Sequence, residues 1–124
     1  MSPQFPARQA AEDLYHQGID CMAGGSEAAA IGKFREALAC DPTFLDAMHG
    51  LIRALQESGD YDQAIAVALD LVALDPDDIL AHTRLSILYQ HQGMVTEAEG
   101  EALQAKLLGW KLELRESRSL TSNE

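Results

Sequence analysis

The sequence predicts an all-α domain made of consecutive helix-turn-helix units. Asp-Pro occurs at 41–42 and again at 75–76, each time after a run of small and apolar residues and before a further helix-like run. Glycines 25, 59 and 93 repeat with that same 34-residue period. The composition agrees: 47% of residues are hydrophobic, Ala and Leu supply most of them, and only 6% are aromatic. Such a mixture suits packed helices better than a β-sandwich, which draws on Val, Ile, Thr and Tyr.

Each element follows from local chemistry. Residues 1–10 carry two prolines and are expected to be a flexible lead, with Pro6 suited to a first helical position. Three units then follow, Ala11–Phe44, Leu45–Asp78 and Ile79–Leu112. The mid-unit glycine of each suits a tight turn between two helices, because glycine takes positive φ without steric cost.

In the first unit, Leu14, Gln17, Gly18 and Cys21, then Ala30, Phe34, Ala37 and Leu38, occupy the seam positions. The second unit places Met48, Leu51, Ile52 and Leu55 on one helical face, then Ala64, Ile65, Ala68, Leu69, Leu71 and Val72 on the next. In the third the same places hold His82, Leu85, Ser86 and Tyr89, then Ala98, Ala102, Leu103 and Ala105. His82 thus reads as a packed histidine. Proline cannot continue a helix and pushes the residue before it out of the helical region. The Asp-Pro steps therefore end the second helix of a unit and redirect the chain. Asp77 and Asp78 suit the start of the following helix through its dipole.

After Gly109 the stretch WKLELRES predicts a short cap, with Trp110, Leu112 and Leu114 on its inner side, and a disordered tail from about Arg118. Segment 113–124 is therefore read as cap and tail.

This pattern resembles the tetratricopeptide repeat, W-x2-L-G-x2-Y followed by A-x3-F and Pro over 34 residues. The resemblance covers residues 11–112. It departs from the motif where Leu14, Met48 and His82 replace Trp, where Gln17 replaces Leu, and where Trp110 stands in place of Pro. The resemblance implies a right-handed superhelical stack of about six helices plus the short cap, with the first helices lining a concave groove.

The groove-facing positions read from the sequence are Tyr15, His16, Ile19 and Met22, then His49, Arg53 and Gln56, then Leu80, Thr83, Arg84, Ile87 and His91. Between Glu36 and Ala105, Arg53 and Arg84 are the only Lys or Arg residues, and both fall on this face. A guanidinium grips carboxylates through two parallel hydrogen bonds, while the apolar neighbours suit the side chains of a peptide. A non-catalytic adaptor that binds a protein or peptide bearing acidic groups is expected. The alternative is a structural module forming homodimers or larger homo-oligomers through the concave face or the Trp110 end. Some family members look like chaperone adaptors that clamp carboxylates with Lys and Asn. Those places here hold Tyr15, Ile19, Gly50 and Leu80, with only Arg84 fitting, so that clamp is not expected.

Net charge is −11, from 20 acidic against 9 basic residues. This argues against a nucleic-acid or anionic-membrane partner. Cys21 and Cys40 lack CxxC spacing and read as buried free thiols. His16, His49 and His91 lie on different helices without an HExxH motif, so no metal site is expected. No cofactor is implied, and no phosphate loop or tuned carboxylate pair points to catalysis. The start MSPQFPARQAAED lacks an apolar leader core, which favours the cytoplasm.

Overall fold

The computed structural model describes the backbone of residues 4–122 and the side chains of residues 7–119. Six helices follow one another: α1 (Gln4–Ala23), α2 (Glu27–Cys40), α3 (Leu45–Glu57), α4 (Tyr61–Leu74), α5 (Ile79–His91) and α6 (Val95–Ser122). There is no strand among the described residues. The helices form three antiparallel hairpins, and each packs mainly on its neighbours along the chain.

The turns inside the hairpins are one structure used three times. Gly25, Gly59 and Gly93 have φ of 79°, 85° and 73°, a region that L side chains rarely occupy. In each turn an amide reaches back to a carbonyl five residues earlier: Ser26 to Cys21 at 2.8 Å, Asp60 to Leu55 at 2.9 Å and Met94 to Tyr89 at 2.8 Å. That bond closes the first helix of each hairpin with a Schellman turn.

The connections between hairpins follow the Asp-Pro steps. Asp41 and Asp75 both leave the helical region, with φ of −142° and −138°, as a residue before proline prefers. Asp78 then caps α5, its carboxylate accepting a hydrogen bond from the Ala81 amide at 3.1 Å.

The core follows the hairpin seams. Phe34, Ile52, Leu55, Leu71, Leu85 and Leu88 are its largest fully buried side chains. Ala30, Ala64 and Ala98, in register across the three hairpins, are all buried where helix backbones come close. Phe34 wedges between the first two hairpins. Its ring lies where a Cβ on either Gly18 or Gly50 would stand, at 2.6 Å and 2.7 Å. His82 is buried as predicted, at 5% exposure.

Five features differ from the sequence reading. The proposed lead is not loose over residues 4–10, because α1 begins at Gln4. The first four amides of a helix have no intrahelical partner, so a proline at 6 is tolerated; residues 1–3 lie outside the described residues. At the other end, α6 runs through Gly109 to Ser122 without a break. A helical glycine costs only about 1 kcal/mol, whereas proline costs about 3 kcal/mol, and the third unit has Trp110 where a proline would stop it. Segment 113–122 is therefore the end of α6 and not a separate cap and tail; residues 123–124 lie outside the described residues. Trp110 and Leu114 do not face inward, being 54% and 63% exposed, whereas Leu112 keeps the inner side and, 47% exposed, lines a small pocket with Asp77, Ile79 and Leu108. Gln17, Leu69, Ala102 and Leu103, expected in the seam, are exposed; Leu69 is displaced because the packed line of α4 runs through Ala64, Ala68 and Leu71. Cys21 and Cys40 are free but only half-buried.

Candidate functional site: the hollow of the first helices

A hollow of about 490 Å³ opens on the side formed by α1, α3 and α5. Each of these helices is the first of its hairpin, so one position in the 34-residue period maps onto one row of the hollow. From α1 come Tyr15, Ile19, Met22 and Ala23; from α3, Asp46, His49, Gly50 and Arg53; from α5, Leu80 and Arg84. Phe34 of α2 closes the floor.

Of the residues expected to face the groove, the fold gathers Tyr15, Ile19, Met22, His49, Arg53, Leu80 and Arg84 around this hollow. His16, Gln56, Thr83, Ile87 and His91 do not line it. His16 is exposed beside Tyr15, their ring centroids 5.4 Å apart. Gln56 is half-buried near the end of α3. The Thr83 hydroxyl is turned back to the Ile79 carbonyl at 3.0 Å. Ile87 is 39% exposed. His91 stacks on Tyr61 with centroids 4.6 Å apart and planes 5° from parallel.

The sequence pattern places Phe34 in the seam, which it also fills, and gives no groove role to Asp46 or Ala23. Gly18 and Gly50, which leave room for the Phe34 ring, do not share a position of the 34-residue period, so no periodic signal marks that contact. The groove histidines do not converge. Among the described residues, no three His, Cys, Asp or Glu side chains are grouped so as to hold a metal ion, and no helix is long and apolar enough to cross a membrane.

The polar groups of the hollow are in different states. Arg53 is exposed and its Nε donates to Glu57 at 3.2 Å across one helical turn. Arg84 is half-buried, and its Nε is shielded from solvent without a hydrogen-bond partner. Burial pulls its pKa below the ordinary arginine range, the charge of Arg53 adds to this, and Glu57 opposes it. An arginine side chain nonetheless stays charged in proteins. His49 shares a 2.6 Å hydrogen bond between its Nε2 and the Asp78 carboxylate, while its Nδ1 is buried without a partner. Asp78 thus caps α5 and orients a groove side chain of the preceding hairpin. Burial, and then the charge of Asp46, raise the pKa of the Tyr15 hydroxyl. The hollow therefore has a mostly apolar wall, behind which the Arg84 Nε and the His49 Nδ1 are shielded from solvent without partners.

Comparisons with known proteins agree with this architecture. A tetratricopeptide repeat family model matches residues 22–83. The small glutamine-rich tetratricopeptide repeat-containing protein 2 of Saccharomyces cerevisiae is 36% identical over 90 residues, 71% of this chain. The chain spans only 25% of that relative's length. Among solved structures, MamA superposes with a TM-score of 0.82 at 24% identity, over 84% of this chain and 61% of that one. The second tetratricopeptide repeat domain of Spaghetti (RPAP3), bound to the HSP90 peptide SRMEEVD, gives 0.77 at 20% identity, over 82% of this chain and 94% of that one. The 34-residue register, the Schellman turn repeated in all three hairpins and the family match over residues 22–83 lead to one conclusion: this chain belongs to the tetratricopeptide repeat family.

Proposed function

We propose that the protein is a non-catalytic interaction module whose hollow binds a peptide segment of a partner protein, with an acidic group of that segment meeting Arg84. The observation that carries this reading is the Arg84 Nε, buried in a largely apolar hollow without a partner. An unpaired buried donor costs about 1–3 kcal/mol, more when it is charged, and a ligand carboxylate reached by a turn of the Arg84 side chain toward the hollow would remove that cost. If Nε2 of His49 holds the proton shared with Asp78, Nδ1 is left as an acceptor for a peptide N–H. Ile19, Met22 and Leu80 supply apolar contact area. The peptide-bound Spaghetti domain supports the reading as a protein of the same fold that holds a peptide.

A displayed library of short random peptides tests it. Selection on the wild-type chain should enrich sequences in which a carboxylate lies beside apolar side chains. Against the selected peptides, Arg84→Gln should weaken binding about tenfold or more. The double variant Arg53→Glu with Arg84→Glu should abolish it, with helicity kept. Recovery of the same peptides at the same affinity by the double variant would move the site out of the hollow.

A further inference from the structure

We infer that a second copy of this chain docks on the outer face of α6, the two helices running antiparallel. Leu103, Leu107, Trp110 and Leu114 follow one another at intervals of four, three and four residues, the spacing of a coiled-coil seam. They are 55%, 45%, 54% and 63% exposed, so they form a continuous apolar stripe outside the core. The inner face of the same helix is a separate line through Ala98 and Leu108, both buried. At about 100° per residue the stripe points well away from that line.

The occupant is identified by self-complementarity. A two-fold axis midway between Leu107 and Trp110 sets Leu107 against the partner's Trp110 and Leu103 against the partner's Leu114. The stripe then covers itself without a gap, as an isologous contact requires. The flanking charges fit the same register. Lys106 comes beside the partner's Glu113 and Glu97 beside the partner's Arg118, and symmetry repeats each pair. All four of these side chains are exposed. Lys106 already lies over the Trp110 ring of its own helix, 5.9 Å from the centroid, at the rim of the stripe. A parallel pairing would instead bring Lys106 beside the partner's Lys111, twice over. This surface is separate from the hollow of the first helices, and the inference does not depend on the function proposed for that hollow.

Sedimentation of the full chain over about 1 to 100 μM tests it against the 13.5 kDa monomer. The wild type should reach twice the monomer mass. Leu107→Glu should remain monomeric throughout this range with unchanged helicity. Lys106→Glu should weaken association about five- to tenfold, and adding Glu113→Lys to it should restore wild-type association. A monomer at every concentration would overturn the inference and leave the stripe to a different protein. A dimer indifferent to Leu107→Glu, or one that the compensating charge swap fails to restore, would also overturn it, placing the contact or its polarity elsewhere.

Discussion

Both ring nitrogens of His82 meet acceptors. Nδ1 lies 2.6 Å from a Glu101 carboxylate oxygen and Nε2 lies 2.8 Å from the Pro76 carbonyl oxygen. With both nitrogens protonated the ring donates to both acceptors, so this geometry favours the imidazolium. Burial alone would depress its pKa. The hydrogen bonds to Glu101 and Pro76, with the negative charges of Glu101 and Asp78, outweigh burial and hold the pKa above its ordinary value near 6.5. A raised folded-state pKa contributes stability that is complete below the unfolded value and disappears as pH rises through the folded one. The stability difference between wild type and His82→Gln should therefore be about 1.5–3 kcal/mol in mildly acidic buffer and should shrink toward alkaline pH. Urea melts between about pH 5.5 and 8.5 measure it, and a difference that grows with pH would contradict the assignment. The Phe34 wedge gives a second test. Alanine normally improves a helix over glycine by about 1 kcal/mol. At Gly18 or Gly50 the added methyl would overlap the buried Phe34 ring, so Gly18→Ala and Gly50→Ala should each destabilise by about 1–3 kcal/mol. Shortening the ring residue with Phe34→Leu should recover part of the Gly50→Ala loss in a double-mutant melt.

Among the elements, α6 differs from the other second helices. α2 and α4 have 14 residues each, and α6 has 28. The difference arises at the residues just beyond the shared hairpin. After Cys40 and after Leu74 the chain meets Asp-Pro and turns, whereas after Leu108 it meets Gly-Trp and continues. Extending an existing helix avoids the unfavourable nucleation step, so the segment beyond Leu108 propagates from a turn already held by packing. Trp110→Pro should restore the stop. Far-UV circular dichroism should then lose roughly a seventh of its helical signal while the three hairpins remain folded. An unchanged spectrum would mean that the segment after Gly109 contributes no helix in solution.

At the scale of the whole molecule, the hairpin count, their register and the placement of seven side chains around the hollow were legible in the sequence because they depend on chemistry that repeats. Positive-φ glycines, prolines after aspartate and alanines at close helix contacts each mark one position of a 34-residue period. The features that were not legible depend on single, non-repeating contacts. His82 and Glu101 are 19 residues apart on different helices, and no periodic pattern pairs them. The burial of the Arg84 Nε without a partner is likewise a property of packing and not of spacing. The continuation of α6 escapes the sequence pattern because Gly109 resembles the turn glycines, although it lacks the positive φ that makes those turns.

That continuation has a geometric consequence. The fourteen residues after Leu108 add about 21 Å of stiff rod, continuous with a helix already seated on α5. Whatever grips the rod is held at a fixed bearing to whatever sits among the first helices. The molecule would then dictate the angle between two guests as well as the distance separating them.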